Sequence, residues 1–172
     1  MQETVPAKNA ADAADDLRYN KRQLNRIVLF FTQISNEDLG IVYCQREAQL
    51  TIDEFNQFCK SLPKTTHVVQ WGGAHVWKIG GKVFAIGGWS DAEQIGVTFK
   101  CTPQTFQLLK DEPGLRPAPY LASRGMSWLQ WLNPETVTVG ELLEHLWQSY
   151  RLVGAGLTNA KKREMGTDAD MF

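Results

Sequence analysis

Residues Thr66–Trp89, THVVQWGGAHVWKIGGKVFAIGGW, decide how this 172-residue chain is read. The run holds Trp71, Trp77 and Trp89, Lys78 and Lys82, and three Gly-Gly pairs. Aromatic and β-branched residues favour strands, and paired glycines supply the positive φ that tight hairpin turns require. Two segments, HVWKI and KVFAI, flank Gly80-Gly81 and predict a hairpin with a two-residue loop. Lys78 and Lys82 bracket that loop. Cations near a hairpin tip suit a wing that touches a nucleic-acid backbone. They equally suit an ordinary solvated hairpin, where Lys discourages edge-to-edge pairing.

Outward from this run the pattern continues. Strands are expected at about 66–71, 74–79, 82–88 and 95–100. On the N-terminal side, Thr51 with Glu54 three residues on forms a near capping box. Ile52, Phe55, Phe58, Cys59 and Leu62 then recur at helical spacing, and the helix stops before Pro63. On the C-terminal side, Thr102-Pro103 opens a second helix to about Asp111. Pro117 and Pro119 make the next segment extended and place it at an edge. Met126–Leu132 reads as a strand. A last helix runs from about Val139 to Leu152, with Leu142, Leu143, Leu146, Trp147 and Tyr150 on its apolar face and Gly154 and Gly156 as its stop. The fold class expected is α+β: two layers, an antiparallel sheet with helices on one face, in the order helix, strands, helix, two strands, helix.

The flanks are less defined. Residues 1–16 are rich in Ala and Asp and read as a disordered tail. Residues 17–35 fit either a helix or a strand. Residues 1–50 are therefore treated as an N-terminal extension, 51–160 as the main domain, and 161–172 as a polar tail.

Bulk composition narrows the function. Hydrophobic residues make up 43% of the chain, and no apolar run approaches the roughly 18 residues of a membrane span. No export signal is read, so the expected location is the cytoplasm. Cys44, Cys59 and Cys101 are irregularly spaced, which fits reduced thiols, and Cys59 and Cys101 are expected to be buried. Net charge is −1, but residues 51–163 carry twelve Lys/Arg against nine Asp/Glu. A mildly basic folded part with acidic ends permits weak phosphate binding without demanding it.

The segments WGGAHVWKIGGKVFAI, RPAPYLASRGMSW and SYRLVGAGL resemble the MmcQ/YjbR family in order and spacing. The resemblance runs from about Thr51 to Gly166. It implies a CyaY-like or secretion-chaperone-like two-layer fold. It also implies a small bacterial protein of a family labelled as predicted DNA-binding with a double-wing motif. Carried over by position, the DNA-contacting cations are Lys78, Lys82, Lys100, Arg116 and Arg124. The segment Ala122–Trp128 departs from basic forms of the family, lacking one cation and a His.

Other candidates are weighed from the residues alone. Trp71 and Trp89, beside glycine turns, are the exposed candidates for stacking on single-stranded bases, whereas Trp147 reads as core. His67 and His75 can meet across a hairpin, but no ligand spacing supports a metal site. No nucleophile–base pair is recognised, so no enzyme activity and no cofactor are expected. The expected role is a small DNA-binding protein of low sequence specificity. The rival role is a protein-interaction module that binds a partner or self-associates through its sheet. A third option is a ligand binder with a cleft under the RPAPYL segment.

Overall fold

The computed structural model describes residues 50–89 and 95–166. These lie within a compact unit spanning 45–172. The undecided segment 17–35 and almost all of the N-terminal extension fall outside the described residues.

Helix α1 (Ile52–Ser61) begins where the capping box predicts. Thr51 Oγ1 accepts from the Glu54 N–H at 3.2 Å, and Glu54 accepts from the Thr51 N–H at 2.8 Å. Strands β1 (Thr65–Gln70), β2 (Ala74–Ile79) and β3 (Lys82–Gly87) follow as an antiparallel meander. Gly80 and Gly81 take φ of 56° and 82°, the left-handed values of a tight hairpin turn. Then come β4 (Val97–Lys100), α2 (Pro103–Leu109), β5 (Leu115–Pro117), a 3₁₀ turn (Ala122–Arg124), β6 (Trp128–Trp131), α3 (Val139–Ala155) and α4 (Asn159–Glu164). The α+β class is as expected: six strands form one sheet in the order β1-β2-β3-β4-β6-β5, with every pair antiparallel. The Pro-bearing strand β5 occupies an edge, as its prolines require.

Helices α1 and α3 cover one face of the sheet. Phe55 and Phe58 of α1, and Leu142, Leu146 and Tyr150 of α3, bury against Trp77, Ile79, Phe84, Phe99, Leu129 and Trp131. Phe84 meets the Tyr150 ring edge-on, and Phe99 stacks against His145. A bulge between Trp77 and Lys78 leaves Phe84 without a register partner on β2. Its carbonyl accepts from Ser149 Oγ at 2.6 Å, and Ser149 Oγ itself accepts from the Lys100 N–H at 2.9 Å. One buried serine on α3 therefore ties together the bulge of β3 and the end of β4.

Two expectations need correction. Gly87 does not itself turn the chain but is the last residue of β3, where α1 passes so close that an added Cβ would sit 2.6 Å from Phe55 Cδ1. Gly154 does not stop α3. It is buried within the helix, which runs on to a cap at Gly156. Helix α4, capped by Thr158, carries the chain from Asn159 into the segment read as a polar tail, and its sequence NAKKRE is polar. Among the described residues no helix is long and apolar enough to cross a membrane.

Candidate functional site

Side chains alternate across a strand, so the register assigns each residue to the helix-covered face or to the far face. One row crosses all six strands on the far face: Val68, Val76, Ile86, Thr98, Gln130 and Arg116. Ala74, Val76 and Ile86 form a small apolar cluster there, packed under Val68, Val83, Trp89 and Leu121. The chain after β5 thus folds back across this face and seats Leu121 on it.

The two hairpin lysines do not act together. Across a two-residue loop Ile79 pairs with Lys82, and Lys78 pairs with Val83. Lys78 therefore lies on the far face and Lys82 on the helix-covered face. Lys82 Nζ donates to the carbonyl of Gly156 at 3.3 Å, at the C-terminal end of α3, where the helix dipole favours a cation. Lys100 pairs with Trp128 and follows Phe99 by one residue, placing it on the far face with Lys78. Their strands, β2 and β4, are separated by β3. Arg116 lies two strands beyond Lys100 on the same face. Its Nε donates to Gln130 Oε1 at 2.7 Å, and Gln130 Nε2 donates onward to the carbonyl of Trp89. Arg124 is exposed on the 3₁₀ turn of the segment that crosses this face. Among the described residues the ion pairs are Lys110–Asp111 and Lys161–Glu164, so Lys78, Lys100, Arg116 and Arg124 are not neutralised by any described carboxylate.

The far face also carries a run of three rings. Trp71 lies 5.9 Å from Trp89, and Trp89 stacks on Tyr120 at 5.8 Å with 22° between the planes. Trp71 is 56% exposed and Tyr120 is 70% exposed. Both have left-handed backbones, with φ of 52° and 62°. The Leu121 N–H closes on the Pro119 carbonyl at 2.7 Å, so Tyr120 is the centre of a three-residue turn. Sequence reasoning singled out Trp71 and Trp89 but missed Tyr120 and Gln130. The alternation in Trp128-Leu129-Gln130-Trp131 was the available signal for Gln130: a lone polar residue facing the same way as Trp128. Thr98, between Ile86 and Gln130 in the row, keeps a buried Oγ1 with no hydrogen bond among the described residues.

On the helix-covered side, His67 and His75 do meet. His67 Nε2 lies 3.1 Å from His75 Nδ1, and the rings stack. Trp77 Nε1 donates to Asn56 Oδ1 at 2.9 Å, which turns the Asn56 amide nitrogen toward His75 Nδ1 at 2.8 Å. His75 Nδ1 is therefore an acceptor. Burial, and then the neighbouring His75, hold His67 below the usual histidine range. Among the described residues no three His, Cys, Asp or Glu gather as a metal site. Cys59 and Cys101 are buried free thiols. Desolvation raises both, Cys101 to about 11.

Trp147 is not core. It is half-buried, with the Arg151 guanidinium 4.9 Å over its ring. With Thr102, Gln148, Leu152 and Ala155, these two line a surface cavity of about 340 Å³. That cavity lies along α3 rather than under the Arg116–Leu121 segment.

Comparison with known proteins agrees with the architecture. The sequence model of a family described as YjbR matches residues 60–152. The fold resembles the crystal structure of Deinococcus radiodurans protein DR2400, a DUF419-domain protein. The TM-score is 0.60 at 23% identity, over 73% of this chain and 94% of that one. A Pseudomonas syringae protein aligns with a TM-score of 0.49 at 15% identity, over 60% of this chain and 99% of that one. No functionally curated protein matches the chain.

Proposed function

Because this chain belongs to the YjbR family, we propose that it binds nucleic acid, holding the phosphate backbone on the far face of its sheet. The observation that carries the reading is the sorting of cations by register. Lys78, Lys100 and Arg116 share one face, whereas Lys82 is turned to the other and engaged at the end of α3. Phosphate contacts position a strand without reading its sequence, so low sequence preference follows. The role is binding rather than catalysis. The buried, unpaired thiols of Cys59 and Cys101 suit a reducing compartment such as the cytoplasm.

The test is anisotropy titration of a labelled oligonucleotide over a salt series. Three phosphate contacts give a log–log slope of about −2 to −3. Lys78→Ala and Lys100→Ala should each lower that slope by about 0.7–0.9, and Lys82→Ala should leave it unchanged. A salt-independent affinity, or a Lys82→Ala loss equal to that of Lys78→Ala, defeats the assignment.

A second reading, docking of a partner strand or a second copy, is favoured by the outer edge of β1. That edge has no strand beyond it among the described residues, and Val69 on it is 54% exposed.

A further inference from the structure

We infer that the rings of Trp71, Trp89 and Tyr120 form a seat for unpaired nucleobases, which makes single strands the preferred ligand of the far face. The inference rests on the nucleic-acid reading above and specifies which form of ligand that face takes.

The first support is that fold stability does not account for these rings. Trp71 and Tyr120 are among the most exposed large apolar side chains described, so their burial stabilises little. Each sits at a left-handed backbone position that Gly or Asn adopts at lower cost. Two bulky aromatics held in an unfavourable conformation, with their side chains in solvent, mark a surface kept for contact. Both also belong to one structure, since each ring lies against Trp89.

The second support is the coupling of rings to charge. The chain Arg116–Gln130–Trp89 runs through two hydrogen bonds, from a guanidinium to the backbone of the middle ring. Gln130 is fully buried, so it fixes Arg116 relative to the rings. Only the Nε of Arg116 is engaged. Its two terminal nitrogens make no hydrogen bond among the described residues, and they remain for an anion.

The occupant follows from this chemistry. An aromatic cage for a cationic ligand needs carboxylates or neutral surroundings, and among the described residues the fixed charge on this face is positive. A proline-rich peptide uses aromatic grooves but brings no phosphate for Arg116, Lys100 and Lys78. A nucleic acid brings both flat π-faces and anions. In a duplex the base faces are stacked on one another, whereas in a single strand they are available to protein rings.

The experiment compares a thymidine homo-oligonucleotide with an abasic sugar-phosphate oligomer of equal length, by tryptophan fluorescence and anisotropy. Wild-type protein should bind the base-bearing strand about tenfold or more tightly than the abasic one. Trp71→Gly and Tyr120→Gly should each close much of that gap. Glycine suits both backbone positions, so each variant should keep the wild-type thermal midpoint, which circular dichroism checks. If the gap is absent, or survives both substitutions, base stacking is refuted while phosphate binding stands. If neither oligomer binds at low salt, the nucleic-acid reading itself fails and this inference with it. Quenching by a proline-rich peptide but not by the oligonucleotide would assign the rings to a protein partner and overturn the inference.

Discussion

Replacing Ser149 by Ala removes one hydroxyl and strands two backbone groups. Ser149 is fully buried, and its oxygen both accepts from the Lys100 N–H and donates to the Phe84 carbonyl. Phe84 is the extra residue of the β3 bulge, so β2 offers its carbonyl no substitute, and the packed interface of α3 with the sheet leaves little room for water. A buried backbone group left unpaired costs about 1–3 kcal/mol. Two such groups, partly relieved by small shifts, predict a loss of about 3 kcal/mol in Ser149→Ala. At about 2–4 °C per kcal/mol for a chain of this length, the thermal midpoint should fall by roughly 6–12 °C. Urea unfolding followed by circular dichroism gives the free energy, and amide exchange gives the location. The Lys100 amide should lose protection more than that of Phe99, its neighbour on the helix-covered face. A loss below about 1 kcal/mol, or unchanged exchange at Lys100, would refute the view that this serine ties β3 and β4 to α3.

Other perturbations probe other parts of the account. Gly87→Ala should destabilise by about 1–3 kcal/mol through collision with Phe55, and adding Phe55→Leu should recover part of that loss; strictly additive effects in the double variant would exclude the contact. His67 and His145 are both held below the usual histidine range, chiefly by burial, so the unfolded chain takes up protons first as pH falls. Their contribution is complete above the unfolded value near 6.5 and is lost as pH drops toward the folded values. The urea midpoint should therefore decline between pH 7.5 and 5.5, and a flat or rising midpoint would contradict this. Glu141, held low mainly by its backbone hydrogen bond at Thr138, titrates below that window. Cys59 and Cys101 should react with a thiol reagent in native protein far more slowly than after unfolding, because burial suppresses both thiolates.

Much of the scaffold was readable because its signals are local. Thr51 with Glu54, and Thr102 with Pro103, announce helix starts within four residues, and the Gly80-Gly81 pair marks a turn by its backbone needs alone. The antiparallel meander follows from those turns. Readings failed where distance in sequence hid a partner. Gly87 looks like half of a turn signal until Phe55, from a helix some thirty residues earlier, is laid on it. Ser149 is an unremarked polar residue in an amphipathic helix until β3 and β4 come under it. Trp147 fits the apolar stripe of α3 by spacing, yet it lies at the border of the layer, where Arg151 covers it. The site divides in the same way. Lys78 and Lys82 looked like a pair because they bracket one loop, although two-residue hairpin geometry already put them on opposite faces. The Arg116–Gln130–Trp89 chain needs β5 to pair with β6 outside β4. The left-handed backbones of Trp71 and Tyr120 have no signature in residue type, since those residues normally avoid that conformation.

The six tryptophans allow one measurement to ask which face binds. Trp71, Trp89 and Trp128 belong to the far face, whereas Trp77, Trp131 and Trp147 belong to the helix layer or the face it covers. Their indole N–H signals can be followed in nitrogen-labelled protein while a single-stranded oligonucleotide is added at low salt. The account predicts that the Trp71 and Trp89 signals move, while those of Trp77, Trp131 and Trp147 stay in place. Movement confined to the second set, or no movement at saturating oligonucleotide, would contradict binding on the far face.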